Sequence, residues 1–453
     1  MRNFFQKIKN FIKSGKEENL YQLDGMVPLG KALPFSISHI LTMFVANITP
    51  IILILANTKG IKLQFLILNT IFISGIVTLL QTYPLYKFGS RLPLVAGSSF
   101  TFLGVLSSIT LNYGPYVMFG SVIVGGLVMV IFGFLAKFWV KLISPLVSAI
   151  VVFAIGLSLI PTGVVSFCGG QNIVSSNSVS FKYLLVGFST LITYLIFNNF
   201  GKGIWKNLSM LLGIIVGYLV ALCFNNMVSF AAFKDISFIT YPKFINFKKI
   251  EFNFEVILTV SIIYIISSTE VLGVANAFTS FSLKRNATKE EIMGGITLNG
   301  AMSSIGGLFG VIPFTLYAQN VGISTQTKVI NRKVILITAL ILIVTGLFPP
   351  FAALIQTIPD SVLGGITILL FVSIMITGLK MIAICGFSER NIIILTLSLA
   401  FGYGFNLMPD IYNTLFNDSE ILKLIFGNTI ASMFIISFIL DLVLPKEKRR
   451  EKI

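Results

Sequence analysis

The stretch that decides the fold is GVIPFTLYAQNVGISTQTK, residues 310–328. Its first half is apolar and contains Pro313, whereas its second half carries three amides, a glycine, a serine and two threonines. A short basic patch and the apolar run VILITALILIVTGLF (334–348) follow. Lipid offers no hydrogen bonds, so a polar stretch between apolar runs indicates a segment that is buried in protein or lines a cavity.

The composition is that of a membrane protein. The chain has 453 residues, of which 55% are hydrophobic and 11% charged, and its mean hydropathy is +0.92. Soluble domains of ordinary composition are about 25% charged. Apolar runs near the length of about 20 residues that crosses a bilayer recur along the whole chain. The sequence therefore predicts a polytopic integral membrane protein and excludes a soluble enzyme with a single anchor.

The basic charge is concentrated at both termini and in alternate loops. The net charge of the chain is +16. Cytoplasmic loops of membrane proteins are rich in Lys and Arg, so this charge gives no reason to expect a nucleic-acid partner. The N-terminal FFQKIKNFIKSGK (4–16) resembles a basic amphipathic helix and not a signal peptide. The tail PKEKRREKI (445–453) is basic too. We therefore expect a multi-pass protein of the cell membrane with both termini cytoplasmic.

About fourteen membrane crossings fit the apolar pattern, and the polar stretch 225–253 divides them into two groups of seven. A repeat with an odd number of crossings inserts its second copy upside down, which is a transporter architecture. The third crossing, RLPLVAGSSFTFLGVLSS (91–108), and the tenth, 310–328, occupy the same place in their halves. Each has a proline, a short extended piece and then small and polar residues. We therefore expect an all-α, 7+7 inverted repeat with short strands in segments 3 and 10, and a binding site between them.

The eighth crossing contains a charged residue near its middle. It reads VILTVSIIYIISSTEVLGVANAFTSF (256–281), with Glu270 at depth. A charge there costs about 2.5–3.5 kcal/mol on insertion scales. One interpretation is a carboxylate neutralised by a basic partner that locks two helices together. The other, which we favour, is a role in binding substrate or a proton.

The single histidine and the three cysteines are further candidates. His39, in FSISHILTMFVANITP (35–50), is either a satisfied hydrogen-bonding group or a proton carrier, because its ordinary pKa is about 6.5. Cys168, Cys223 and Cys385 have no paired spacing, so neither a metal site nor a disulfide framework is expected.

On the strength of these segments, the chain resembles the nucleobase–ascorbate transporter family, also called nucleobase:cation symporter-2, which includes bacterial xanthine and uracil permeases. The signature of that family is matched by Gln319, Asn320, Gly322, Thr327 and Lys328. The segments SHILTMFVANITP, LVAGSSFTFLG and SSTEVLG also resemble its first, third and eighth helices. The resemblance covers nearly the whole chain from about residue 27.

The resemblance implies a division into a core domain and a gate domain, with an elevator-like movement of core against gate and a homodimer. Each domain is expected to be built from two stretches of the chain. The expected units are a basic N-terminal segment (1–26), a first core stretch (27–137), a first gate stretch (138–224), an extracellular loop (225–253), a second core stretch (254–352), a second gate stretch (353–444) and a basic tail (445–453).

The resemblance also implies a substrate site. In that site Glu270 accepts hydrogen bonds from ring N–H groups, and the amide of Gln319 both donates and accepts. Phe100 covers the ring, and backbone N–H groups near Phe100 and Ala318 bind carbonyl oxygens. Asn320 orients the pocket, while Glu270 and His39 serve proton coupling or support the site. No cofactor or metal is expected, and the coupling ion is expected to be H⁺ rather than Na⁺.

The first position of the signature bears on the substrate. Glutamine there, Gln319, is common in xanthine and urate members, so the predicted substrate is xanthine or a related oxidised purine. Two positions depart from the family: Val274 replaces an Asp or His, and Asn299 replaces an Asp of many purine transporters. These departures leave a sodium-coupled or facilitative carrier and a uracil permease as alternatives. An anion transporter like the sulfate permeases, a membrane-embedded enzyme and a pore are less well matched.

Overall fold

The computed structural model describes residues 16–55, 62–202, 205, 208–230, 233, 236–416 and 419–445. The predicted amphipathic helix before Lys16 and most of the basic tail lie outside these residues. The helices are α1 Leu29–Leu55, α2 Leu63–Thr82, α3 Leu103–Tyr113, α4 Pro115–Phe134, α5 Ala136–Trp139, α6 Pro145–Phe167, α7 Gln171–Ser175, α8 Phe181–Phe200, α9 Ser209–Leu222, α10 Phe254–Ser282, α11 Lys289–Leu308, α12 Ala318–Thr327, α13 Arg332–Thr345, α14 Pro349–Gln356, α15 Asp360–Cys385, α16 Glu389–Leu407, α17 Pro409–Leu415, α18 Glu420–Phe426 and α19 Thr429–Val443.

Seven of the described helices are long and apolar enough to cross a membrane: α1, α2, α4, α6, α8, α10 and α15. The count rises to eight if the bent pair α13 and α14 is taken as one span. Several other predicted crossings are shorter helices, so the layout of fourteen stays a prediction. The multi-pass, helical character is confirmed.

The apolar segment that contains the run 334–348 is not one continuous helix. Helix α13 ends at Thr345, α14 begins at Pro349, and their axes differ by 85°. Proline has no backbone N–H and disfavours helix in the residue before it. Two successive prolines at 349 and 350 therefore end one helix and begin the next.

Two three-residue strands pair with each other, one in the third predicted segment and one in the tenth, as the sequence predicted. Strand β1 (Ala96–Ser98) pairs antiparallel with β2 (Phe314–Leu316), with Gly97 opposite Thr315. The ladder is extended by Ser99 N–H donating to the carbonyl of Pro313 at 2.7 Å. In each case a helix follows: a 3₁₀ turn and α3 after β1, and α12 after β2. All six strand residues are buried, as an irregular backbone within a membrane protein must be.

Glycines allow the helices around this crossing to pack closely. A Cβ added at Gly126 of α4 would lie 2.4 Å from Ser304 Oγ of α11, and one added at Gly300 would lie 2.8 Å from the carbonyl of Gly126. These distances are shorter than carbon contacts allow. The absence of a side chain at Gly126 and Gly300 therefore permits the close approach of α4 and α11.

The described residues of the N-terminal segment pack against the chain that follows α12. The carbonyls of Leu20 and Leu23 accept hydrogen bonds from Ile330 N–H and Arg332 N–H, both at 3.0 Å. Arg332 also forms an ion pair with Asp24 at 2.5 Å. Leu20 is buried in this contact. The N-terminal segment is thus attached to the second half of the chain, which the predicted boundary at residue 26 did not anticipate.

Candidate functional site

Glu270 lies near the middle of α10 and is 7% exposed. Its Oε2 accepts a hydrogen bond of 2.8 Å from the hydroxyl of Thr101, in the 3₁₀ turn Phe100–Phe102. The hydroxyls of Ser267 and Thr315 also lie near the carboxylate, but neither forms a hydrogen bond to it or to any other group that the structure describes. The carboxylate is therefore surrounded by hydroxyl groups at the strand crossing.

No basic side chain neutralises Glu270 among the described residues. None of the four ion pairs among these residues involves Glu270. One of them joins Arg390 and Asp441, which are 2.9 Å apart near the end of the last helix. A buried carboxylate without a cationic partner is costly unless a proton or a ligand relieves its charge. The alternative of a helix-locking ion pair is therefore not supported, and a binding role remains.

Gln319 lies in the first turn of α12 and lines the same cavity as Glu270. Its side chain is 7% exposed, and its Nε2 has no hydrogen-bond partner among the described residues. The helix begins after Tyr317 without a side-chain cap, so Gln319 is not a capping residue. An unused buried amide donor is unusual and indicates a ligand position.

The cavity shared by Glu270 and Gln319, here called the carboxylate cavity, has a volume of about 20 Å³. That is space for about one water molecule, since a water needs roughly 10–15 Å³ measured in this way. Phe100 and Ala318 also line it, together with Val274. The opposite wall comes from Val152 and Ile155 of α6 and Ile374 of α15. The site residues are thus together, in a contracted pocket.

Phe100 packs against α15, one of the helices that form the opposite wall of the cavity. It is 4% exposed, and its ring meets the ring of Phe371 on α15 edge to face, with centroids 5.0 Å apart. Such a pair is favourable by about 0.5–1.5 kcal/mol beyond its buried area. The contact places Phe100, which is predicted to cover the ring of the substrate, against α15 at the edge of the carboxylate cavity.

Asn320 and His39 form a separate buried contact. Asn320 Nδ2 lies 3.0 Å from His39 Nδ1 and 3.2 Å from the carbonyl oxygen of His39. Because a carbonyl only accepts, the amide nitrogen must face His39, and Nδ1 is then the acceptor. The ring proton of neutral His39 is therefore on Nε2. This geometry makes Asn320 a link between α12 and α1, and its orienting role in the pocket stays a prediction.

A larger polar cavity, here called the vestibule, lies on the other side of Gln319. It has a volume of about 190 Å³ and is lined by residues of α1, α8, α9, α12 and α15, with Gln319 belonging to both cavities. Gly322 and Thr327 of the signature line it. A Cβ added at Gly322 would meet no atom within 4 Å. Lys328 adopts a left-handed conformation (φ 60°) that ends α12.

The two departures from the family pattern have different surroundings. Val274 lines the carboxylate cavity one turn from Glu270 and adds no polar group to it. Asn299 on α11 is fully buried, and neither its oxygen nor its nitrogen has a partner among the described residues. Asn299 is not among the residues that line the carboxylate cavity.

Sequence reasoning missed Thr101 and the vestibule residues of α8, Tyr194 and Asn198. Thr101 is next to Phe100, but a threonine at the start of a helix is ordinary. Its contact with Glu270 joins residues 169 positions apart. Asn198 lies at the polar end of an otherwise apolar helix, where an amide carries no signal of function.

Comparisons with known proteins agree on one family. The Permease family model Xan_ur_permease matches residues 30–411. The xanthine permease of Bacillus subtilis (strain 168) is 30% identical over 94% of this chain and 96% of its own length. The uric acid permease PucJ of the same organism is 33% identical over 84% and 86%. Xanthine permease XanQ of Escherichia coli (strain K12) is 30% identical over 96% and 95%.

Solved structures support the fold. The transmembrane domain of the cyanobacterial bicarbonate transporter BicA superposes with a TM-score of 0.58 at 16% identity, over 91% of this chain and 97% of that one. SLC26A9 gives a TM-score of 0.57 at 12% identity, over 82% and 62%. At such identities the likeness concerns the fold alone. The family match, the relatives and the apolar helices together show that the chain belongs to the Xan_ur_permease family of permeases, and that it is a multi-pass membrane transporter and not an enzyme.

Proposed function

We propose that the protein imports a nucleobase, xanthine or a related oxidised purine, by proton symport with an elevator-type movement. One observation carries the proposal: Glu270 and the unused amide of Gln319 line one buried cavity where two half-helices meet. The relatives' names, xanthine permease and uric acid permease, support the same substrate class.

The side chains around the carboxylate cavity match the edge of a purine. Glu270 accepts hydrogen bonds from ring N–H groups, and Gln319 offers a donor and an acceptor side by side. Phe100 covers one face of the ring. The amide groups at the N-terminus of α12, near Ala318, and those near Phe100 favour the electron-rich carbonyl oxygens of the base, because a helix N-terminus is partially positive.

The amide at position 319 supports a purine dione over uracil. The family resemblance associates glutamine at this position with xanthine and urate, and three similar relatives bear those names. A uracil permease remains the alternative within the same family, and uptake of the two bases distinguishes them.

The isolation of the carboxylate supports proton coupling. A buried Glu270 that accepts from Thr101 and has no basic partner among the described residues can hold a proton when no substrate is present, or share one with the bound base. His39 acts in this proposal by holding Asn320, since its Nδ1 is engaged as an acceptor. Sodium coupling and facilitated exchange are the competing modes.

The walls of the carboxylate cavity support movement of two units. Glu270, Phe100 and Gln319 belong to the proposed core, whereas Val152 and Ile374 belong to the proposed gate. A cavity of about 20 Å³ is too small for a purine, so core and gate must separate for the base to bind. Such sliding fits an elevator carrier built from 7+7 inverted repeats.

Transport of an anion such as bicarbonate, the cargo in the name of the neighbour BicA, fits the cavities less well. The described residues that line the carboxylate cavity and the vestibule include no lysine or arginine, and the one charged group is the anionic Glu270. An anion would therefore meet repulsion and no counter-charge. The remaining elements of the proposal, cytoplasmic termini and a homodimer in the cell membrane, rest on the basic ends and on the family resemblance.

The test is uptake of labelled xanthine and uracil into vesicles, with a proton gradient and a sodium gradient imposed separately. We expect xanthine uptake driven by the proton gradient, and its loss in Glu270→Gln. The matched control is Glu255→Gln, because Glu255 is exposed at the start of the same helix. Both variants must reach the membrane at the wild-type level. Uptake of uracil alone would refute the purine assignment, and uptake that ignores Glu270→Gln would refute the site.

A further inference from the structure

Two cavities share Gln319, and they differ in size by about an order of magnitude. The carboxylate cavity has about 20 Å³ and the vestibule about 190 Å³. In this conformation a planar base has room in the vestibule but not beside Glu270. Gln319 is 7% exposed at the boundary between the two, and its Nε2 has no partner among the described residues.

The lining of the vestibule suits a neutral, flat, hydrogen-bonding molecule. Its described lining residues include no Asp, Glu, Lys or Arg. Asn198 and Tyr194 contribute polar groups from α8, and Ser373 contributes a hydroxyl from α15. Leu370 and Ile323 contribute apolar surface. Amides, hydroxyls and apolar side chains are the groups that orient and cover a small ligand.

We propose that the vestibule is a second nucleobase subsite, in which Gln319 and Asn198 together hold the base after it leaves, or before it reaches, the carboxylate cavity. This inference rests on the proposed function. Gln319 keeps one hydrogen bond to the base as the base exchanges Glu270 for Asn198. Gln319, on α12 of the proposed core, thus contacts the base in both cavities. Asn198 lies on α8 of the proposed gate.

The decisive pair of variants is Asn198→Leu and Asn199→Leu. Both residues lie on α8, but Asn198 lines the vestibule whereas Asn199 does not and is exposed. A neutral hydrogen bond is worth about 0.5–1.5 kcal/mol, so Asn198→Leu is expected to reduce kcat/KM for xanthine roughly threefold to tenfold. Asn199→Leu should remain at the wild-type value.

Equilibrium binding to the purified full-length protein provides the second measurement. Labelled xanthine should still bind weakly to Glu270→Gln, because the vestibule remains. Adding Asn198→Leu to that variant should abolish the residual binding, and adding Asn199→Leu should not. Membrane abundance and gel-filtration profiles establish that each variant is folded.

The outcomes separate the two proposals. If the wild type carries xanthine but Asn198→Leu and Asn199→Leu behave alike in uptake and in residual binding, the vestibule subsite is refuted and the proposed function stands. If the wild type neither binds nor carries a nucleobase, the proposed function itself fails.

Discussion

The two arms that meet at the strand pair have the same order of elements, a strand followed by a helix, but they differ in the side-chain contacts that fix their positions. The first arm is β1 with the helix that follows it (Ala96–Tyr113), and the second is β2 with α12 (Phe314–Thr327). In the first, Thr101 donates to Glu270 of α10. In the second, Asn320 donates to the ring and carbonyl of His39 on α1.

The difference lies in how much of each group's hydrogen-bonding capacity is already used. A carboxylate has about four acceptor positions, and Thr101 occupies one of them, so Glu270 retains capacity for a ligand. Asn320 has two amide hydrogens, and His39 accepts both. We infer that the first link belongs to binding and that the second is scaffold that fixes the orientation of α12.

The largest effect is expected from Asn320→Ala. The change leaves His39 Nδ1 buried without a donor and removes a buried side chain, and the lost hydrogen bond alone costs about 1–3 kcal/mol. We expect a clear fall in the thermal unfolding temperature of the purified protein, together with loss of transport. Asn112→Ala, at an exposed position on α3, is the control.

A double-mutant cycle sharpens this comparison. His39→Ala combined with Asn320→Ala should cost less than the sum of the single changes, because both remove the same contact. Strict additivity would show that the two side chains stabilise the protein independently and that the scaffold interpretation is wrong.

An intermediate effect is expected from Thr101→Val, which removes the hydroxyl that orients Glu270. A hydrogen bond to a charged group is worth about 1.5–3 kcal/mol, so affinity for xanthine should fall roughly tenfold to a hundredfold. Thr101→Ser should retain wild-type affinity. Thr70→Val is the matched control, because Thr70 is equally buried and its hydroxyl donates within its own helix. Equal effects of the two valine variants would show that Thr101 has a structural role only.

The smallest effect is expected from two glycines at equivalent positions, Gly104 and Gly322, one in each arm. A Cβ added at either would meet no atom within 4 Å, and each lines a cavity, of about 150 Å³ and 190 Å³ respectively. Alanine should stabilise either helix by up to about 1 kcal/mol. Gly322→Ala also places a methyl group in the vestibule, so its KM for xanthine should rise a few-fold, whereas Gly104→Ala should leave equilibrium binding within about twofold. Equal KM values for the two variants would contradict the difference between the arms.

Much of the site could be predicted from the residues, and the reasons are local. Glu270 stands out because a charge in an apolar run is costly wherever the helix lies. The polar stretch after Pro313 indicates a broken segment, and the two strands form where the patterns at 91–108 and 310–328 placed them. The contact of the N-terminal segment with the chain after α12 and the bend between α13 and α14 could not be predicted in this way. Both depend on what the segment packs against.

Composition and polarity along the chain are sufficient to show that this protein spans a membrane, that two segments are interrupted and that one acid lies deep. The packed fold was needed to show that Thr101 donates to Glu270, that His39 accepts from Asn320, and that Gln319 lies between a small cavity and a large one. These contacts join residues 169 and 281 positions apart. Whether two such groups come into contact depends on the packing of several helices at once, and no local sequence pattern predicts it.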